Sequence, residues 1–420
     1  MLAQCPSVSN EDLLSYCITL PLRIKAAVDD TMSHDRHQRS RLLGFLRGWR
    51  KAPARRRAGP ESDPPDWEPL SAMRAHLREH IGEIVHEHEV KGVHVRLLCI
   101  SPHEGFPHAA IITSGMSAYA MPVPDDEDHA QVPRRAELML LLPQDWELDA
   151  ASLDEAKNGW LPILMHMLAF YPWSFGTFLA NGHSMDLDMP FGETGFSSVL
   201  LAHVPGRSRG FHRVRVNSGA EGCNGEKSIA EEEIALYNVL PLYPEEVAFK
   251  REHGTAAIFE RLRAHGVMDA LRPGRVNTAL VPLPPREEWP DDNLVDCDGH
   301  GPVLRAYVCC HLLQRENAPL GFHQPGDLID GEVEQSPESA PAEAPDMDAA
   351  AAGSDGELDA GYAADREEED DDNDRSAWCD ACDAMLLRER EWTDVAMAHA
   401  DVRLVCEFCF YDISRLHRNA

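Results

Sequence analysis

Two C-x-x-C pairs near the end of the chain carry the clearest chemistry: Cys379 and Cys382 in "WCDAC", and Cys406 and Cys409 in "CEFC". A C-x-x-C turn aims two thiolates at one point, and two such knuckles complete a tetrahedral four-sulfur site of the kind that binds zinc. The 23 residues between the pairs are slightly more than the commonest ribbon spacing, but of that kind. Four protein ligands leave no open position, so Cys379, Cys382, Cys406 and Cys409 are expected to hold one structural zinc ion. Metal would supply folding energy that a short segment with few apolar residues lacks. Free thiols, a disulfide and a redox pair are the alternatives, and a redox C-x-x-C would not need a second pair. The adjacent Cys309 and Cys310 cannot easily face one ion together and read as buried thiols.

A second candidate lies in "AAIITSGMSAYAMPVP", residues 109–124, where an apolar run leads into Gly115-Met116-Ser117. A nucleophile elbow needs G-x-S-x-G followed by a helix, because the tight turn brings the last position too close for a side chain. Here the last position is Tyr119, and Pro122 and Pro124 forbid the helix. "NGHSMD" fails in the same way at Asp186. Ser117 is therefore expected to be structural, and a serine hydrolase is the weakest of the functional readings. His86, His88 and His94 do not make H-E-x-x-H, since Val90 stands where the second histidine is needed. On a helix His86 and His88 would point to different faces, so they read as solvated histidines.

These residues must be held by something, and the chain is long enough, at 420 residues, for two or three domains. Its formal net charge is -32, and residues 331–375 hold 17 of the acids against Arg366 and Arg375. Such a field repels phosphate backbones and anionic lipid surfaces and favours basic protein partners, so nucleic acid and membrane are excluded as main ligands. The 11 cysteines form no evenly spaced framework, no targeting segment is evident, and "LPILMHMLAF" is too short to span a bilayer. The chain reads as cytoplasmic.

Residues 1–66, with "RHQRSRLLGFLRGWRKAPARRRAG", read as a poorly ordered basic extension. "DWEPLSAMRAHLREHIGEIVHEHEV" places Leu70, Met73, Leu77, Ile81, Ile84 and Val85 on one face of a single helix capped by Asp66. Strands are expected at 93–100, 108–113, 137–143, 197–204 and 234–243, and a core helix at 161–170. "PEEVAFKREHG" and "TAAIFERLRAHG" read as two further helices stopped by Gly254 and Gly266. Strands and helices mix without strict alternation, which predicts an α+β fold with a mixed sheet flanked by helices over 67–285. Residues 286–330 continue it in an unassigned form, 331–376 read as an acidic disordered linker, and 377–420 as a small zinc-ribbon-like domain.

Six ordered blocks give this middle region a family. "VHVRLLCISP", "TSGMSAYAMPVP", "RAELMLLLPQDW", "NGHSMDLDMPF", "SSVLLAHV" and "NVLPLYPEEVAFKREHGTAAIFERL" resemble the suppressor-of-fused-like domain family in its bacterial form. The resemblance implies a protein-binding module with no catalytic residues. Animal members restrain transcription factors in Hedgehog signalling, and bacterial members are proposed as immunity proteins that mask a toxin in polymorphic toxin systems. The C-terminal cysteine pairs stand where the animal form has a second domain, so the Hedgehog role is not carried over. Two functions are expected to compete. One is masking of a basic partner, as an immunity protein; the other is a regulatory adaptor recruiting a partner through the acidic linker and zinc tail. The loop "DDEDHA", residues 125–130, is a candidate contact surface, though such a charge run reads first as plain solvated charge.

Overall fold

The computed structural model describes residues 68–89, 94–126, 129, 131–154, 158–187, 191–221, 227–290, 293–325 and 375–418. The expected basic extension and nearly all of the acidic linker lie outside these. The described residues divide into two compact units, one within Met1–Arg305 plus Val405–Cys409, the other within Ala306–Leu404 plus Phe410–Ala420.

The first unit opens with α1 (Glu68–His80), which buries Met73 and Leu77, and Ile81 follows in the turn. The expected helix ran on to Val90; it stops at Gly82, whose φ of 144° is closed to residues with a side chain. A Cβ there would lie 2.9 Å from the His103 ring, which is itself tied to the Ile81 carbonyl at 2.7 Å. The chain re-emerges as β1 (Ile84–His88), so Val85 is 57% exposed instead of sharing the helix face. On this strand His86 and His88 share a side, not opposite faces of a helix.

Then come β2 (Arg96–Ile100), β3 (Ala109–Ser114), β4 (Arg135–Leu142), α2 (Ala150–Asp154), α3 (Trp160–Phe175), β5 (Ser184–Asp186) and β6 (Ser198–Ala202). After α4 (Arg209–His212), β7 (Arg213–Glu221) and β8 (Lys227–Leu242) form a long ribbon, and α5 (Pro244–His253) and α6 (Thr255–Ala264) close the series. The strand order is β1-β2-β3-β4-β8-β6-β5, with β7 also on β8. Only the β4–β8 pair among these is parallel, so the sheet is mixed with flanking helices, as the sequence suggested.

Strand alternation sends Leu97, Cys99, Ile111, Leu138 and Leu140 to one face, where α3 packs. It sends Leu98, Ile100, Ile112, Met139 and Leu141 to the other, against Met73 and Leu77 of α1. A sheet covered on both faces needs near-continuous apolar strands, which is why "ELMLLL" shows no alternation. Each large side chain buried here contributes about 1.5–3 kcal/mol relative to exposure.

Candidate metal centres and the Ser117 loop

Ser117 lies in a buried turn, not at the mouth of a cleft. Gly115 (φ 113°) turns the chain out of β3, and the Gly115 and Ser117 amides each donate to Glu137 Oε1 at 2.9 Å. Ser117 Oγ donates to the same oxygen at 2.7 Å, and Thr113 Oγ1 donates to Glu137 Oε2 at 2.6 Å. Glu137 is fully buried, and burial holds its carboxyl above the ordinary range, against the opposing pull of these four donors. Arg135 ties down the same turn by donating to the Ser117 and Ala118 carbonyls, both at 2.9 Å. The "TSGMS" block is thus a wrapper for one buried acid. Its serine is a buried hydrogen-bond donor to that acid.

A second buried acid explains the block "LYPEEVAF". Glu246 of α5 meets Arg275 in two bonds of 2.6 Å and also accepts from the Tyr243 amide at 3.0 Å and the Thr278 amide at 2.9 Å. Burial raises the Glu246 carboxyl, but the Arg275 bonds prevail and hold it below its ordinary range. The described acids of the 125–130 loop are paired: Asp125 with Arg134 just beyond it, and Asp126 with His129 at 2.5 Å.

The four C-terminal cysteines are split two and two. Cys406 and Cys409 sit with Cys297 and His300, while Cys379 and Cys382 sit with Cys309 and His311. In each set one ligand atom from each residue lies within 4.8 Å of all the others, and each set can hold a metal ion. The structure thus groups the four cysteines two and two instead of around one point, and Cys309, buried as expected, stands in one of the two candidate clusters. Cys310 is half-buried beside it.

The folding logic of each set is local. In the first, β9 (Leu294–Cys297) turns back into β10 (Gly301–Val308) with Cys297 opposite Gly301, so the turn lifts His300 over the Cys297 sulfur. Cys406 ends β12 (Arg403–Cys406), and the Cys409 amide donates to Cys406 Sγ at 3.3 Å from the first turn of the following helix. In the second set, β11 (Arg375–Ala377) runs parallel to the end of β10, pairing Val308 with Ala377. That register brings Cys309 and Cys379 out side by side. Cys379 caps α7 (Asp380–Glu389), which places Cys382 in its first turn, and His311 stands in the short turn after Cys309.

His300 Nδ1 lies 3.5, 3.3 and 3.7 Å from the sulfurs of Cys297, Cys406 and Cys409. Cys297 and Cys409 sulfurs are 3.9 Å apart, and His311 Nδ1 is 3.4 Å from Cys382 Sγ. The sulfurs share protons unequally. Hydrogen bonding to Cys406 and Cys409 holds Cys297 far down, and hydrogen bonding to Cys309 holds Cys379 at about 5. His300 and His311 carried a legible signal, since "CDGH" and "CCH" are short Cys/His spacings in their own right.

Among the described residues, no helix is long and apolar enough to cross a membrane. The family model described as Suppressor of fused protein (SUFU) matches residues 91–276. Curated proteins give no significant match. Among solved structures, a SUFU homolog from Neisseria gonorrhoeae FA 1090 is 13% identical, covering 51% of this chain and 98% of that one, with a TM-score of 0.34. A Sufu-Fu complex is 12% identical, covering 52% of this chain and 93% of that one, with a TM-score of 0.33. Drosophila Suppressor of Fused is 12% identical, covering 50% and 51%, with a TM-score of 0.31. The matched span, residues 91–276, holds the whole wrapper around Glu137 and the Glu246–Arg275 pair, and over it the chain matches the suppressor of fused family model.

Proposed function

We propose that the chain is a non-enzymatic protein-binding module that masks a partner, and that the partner is a basic toxin which it neutralises as an immunity protein in the cytoplasm. The observation that carries this is the family match over 91–276. The net charge of -32 supports a basic partner, because opposite charge steers encounter and suppresses wrong partners. The burial of Ser117 against Glu137 supports a scaffold over a hydrolase. Zinc is the metal assigned to the cysteine and histidine clusters: soft thiolates with imidazole suit it, and four filled positions make its role structural.

The test is affinity capture from native lysate with the full chain, followed by association kinetics of the captured protein at increasing salt. One basic protein is expected, with association slowing about tenfold or more as steering is screened. A partner that is not basic, associating at a rate indifferent to salt, would contradict the charge argument. Retention of nothing would contradict masking itself.

The adaptor reading has one observation in its favour: in the second unit Leu387 is 64% exposed and Val395 60% exposed. It expects Leu387→Asp with Val395→Asp to abolish capture. Masking by the suppressor of fused domain expects those changes to leave capture intact.

A further inference from the structure

We infer that the chain holds two zinc ions, each in its own shell of three cysteines and one histidine, and that the shell of Cys297, His300, Cys406 and Cys409 fastens residues 405–409 into the suppressor of fused unit. The inference rests on the assignment of zinc made above and adds the number of ions, their ligands and the work of one of them.

The distances support a central cation. Zinc–sulfur bonds of about 2.3 Å and zinc–nitrogen bonds of about 2.0–2.1 Å, arranged tetrahedrally, require edges of about 3.6 Å from sulfur to nitrogen and about 3.8 Å from sulfur to sulfur. The His300 nitrogen stands 3.5, 3.3 and 3.7 Å from its three sulfurs, and Cys297 stands 3.9 Å from Cys409. Hydrogen bonding alone does not account for this. One ring nitrogen has either one N–H or one lone pair, so it can serve one sulfur, not three. A shared ion satisfies all three at once. The Cys409 amide on Cys406 Sγ, at 3.3 Å, is the outer support that a ligating thiolate takes from its backbone.

The second shell repeats the plan: a C-x-x-C knuckle at Cys379 and Cys382 meets a short Cys/His pair, Cys309 and His311. His311 Nδ1 lies 3.4 Å from Cys382 Sγ, close to the same tetrahedral edge. In sequence the two shells are nested. Cys309, His311, Cys379 and Cys382 fall between His300 and Cys406, so each C-terminal knuckle is completed by a pair lying N-terminal to the acidic stretch.

Fastening follows from what lies between the outer cysteines. Glu407 and Phe408 are almost wholly buried, although they belong to a five-residue segment separated in sequence from the rest of its unit. Glu407 Oε2 accepts from the Arg209 amide at 2.7 Å. Phe408 stacks on His203 at 4.4 Å and on His300 at 5.0 Å, with the Arg213 guanidinium 5.3 Å from its ring. Phe408 packs with Val303 and Cys406 in a small apolar cluster that also receives Cys297 and Cys409. So short a segment loses conformational entropy on docking that its few contacts do not offset alone, and ligation at both of its cysteines removes that freedom.

The test is native mass spectrometry of the full chain with zinc absorption spectroscopy, neither of which depends on capturing a partner. Two zinc ions per chain are expected, each with three sulfurs and one nitrogen. Cys297→Ser with His300→Ala should leave one ion, and so should Cys309→Ser with His311→Ala. Chelator titration of the unaltered chain, releasing two equivalents, gives the count without any variant. Hydrogen exchange at the Arg209 amide should rise at least tenfold when the outer shell is removed and stay unchanged when the inner one is. A single ion with four sulfurs, retained when Cys297 and Cys309 are replaced, would overturn the two-centre assignment, as would no bound zinc. Unchanged protection at Arg209 without the outer shell would overturn fastening. Two ions in a chain that captures nothing would leave this inference standing while the masking function fails.

Discussion

Arg275→Ala is expected to destabilise the suppressor-of-fused-like domain by roughly 3–5 kcal/mol, because it strands a buried carboxylate. Glu246 is fully buried and Arg275 nearly so, and their two bonds are both 2.6 Å. The arginine also lies 5.0 Å from the ring centres of both Phe196 and Tyr243, so its loss leaves a void between two aromatic rings. The pH dependence has a definite sign. Glu246 is held below its ordinary value, so its contribution is present above the carboxylate range of the unfolded chain and is lost as pH falls through the folded value. In Arg275→Ala only the Tyr243 and Thr278 donors still oppose burial at the carboxyl, and that acid-side loss should shrink. Urea unfolding followed by tryptophan fluorescence at several pH values measures both effects. A loss below about 1 kcal/mol would place the pair among interactions of surface strength.

Glu137→Leu is expected to cost about as much, roughly 3–6 kcal/mol, for the opposite reason. It strands donors instead of an acceptor. The amides of Gly115 and Ser117 and the hydroxyls of Ser117 and Thr113 all lose their partner, at about 1–3 kcal/mol for each group left buried and unsatisfied. Glu137→Gln keeps an oxygen for the first three and presents an amide to Thr113, so it should cost only about 1 kcal/mol. Burial raises the Glu137 carboxyl, so its contribution is complete below the ordinary carboxylate range and is lost as pH rises through the raised value. Unfolding free energies of wild type and Glu137→Gln should therefore converge toward alkaline pH. Parallel curves would show that Glu137 is ionised throughout.

These two acids mark the limit of what could be read from the sequence. The central strands were legible because a doubly covered sheet needs unbroken apolar runs, and "RLLCI", "AAIIT" and "SVLLA" are such runs. That Ser117 does not sit on an elbow leading into a helix was legible from Tyr119 and Pro122, but its actual partner was not. Glu137 lies 20 residues away and shows only as one acid inside an apolar strand. The false extension of α1 has a similar cause. Ile84 and Val85 keep helical spacing with Ile81, and nothing local reveals that His103 folds over Gly82.

The candidate metal ligands divide along the same line. Each C-x-x-C is a local signal, since its two sulfurs converge within one turn. What completes the shell is set by strand register: β9 against β10 for His300, and β10 against β11 for Cys309. Periodicity does not report register between distant segments. Pairing the knuckles with each other is the economical reading of the sequence, and the structure groups each knuckle with a Cys/His pair instead.

The central claim, that the chain masks a harmful basic partner, is tested most directly by growth. The captured partner should be expressed in a naive host with and without the full chain, and colony formation counted. The partner alone should arrest growth, and co-expression should restore it. A partner that is harmless alone, or whose arrest persists when the chain is bound to it, would contradict the claim.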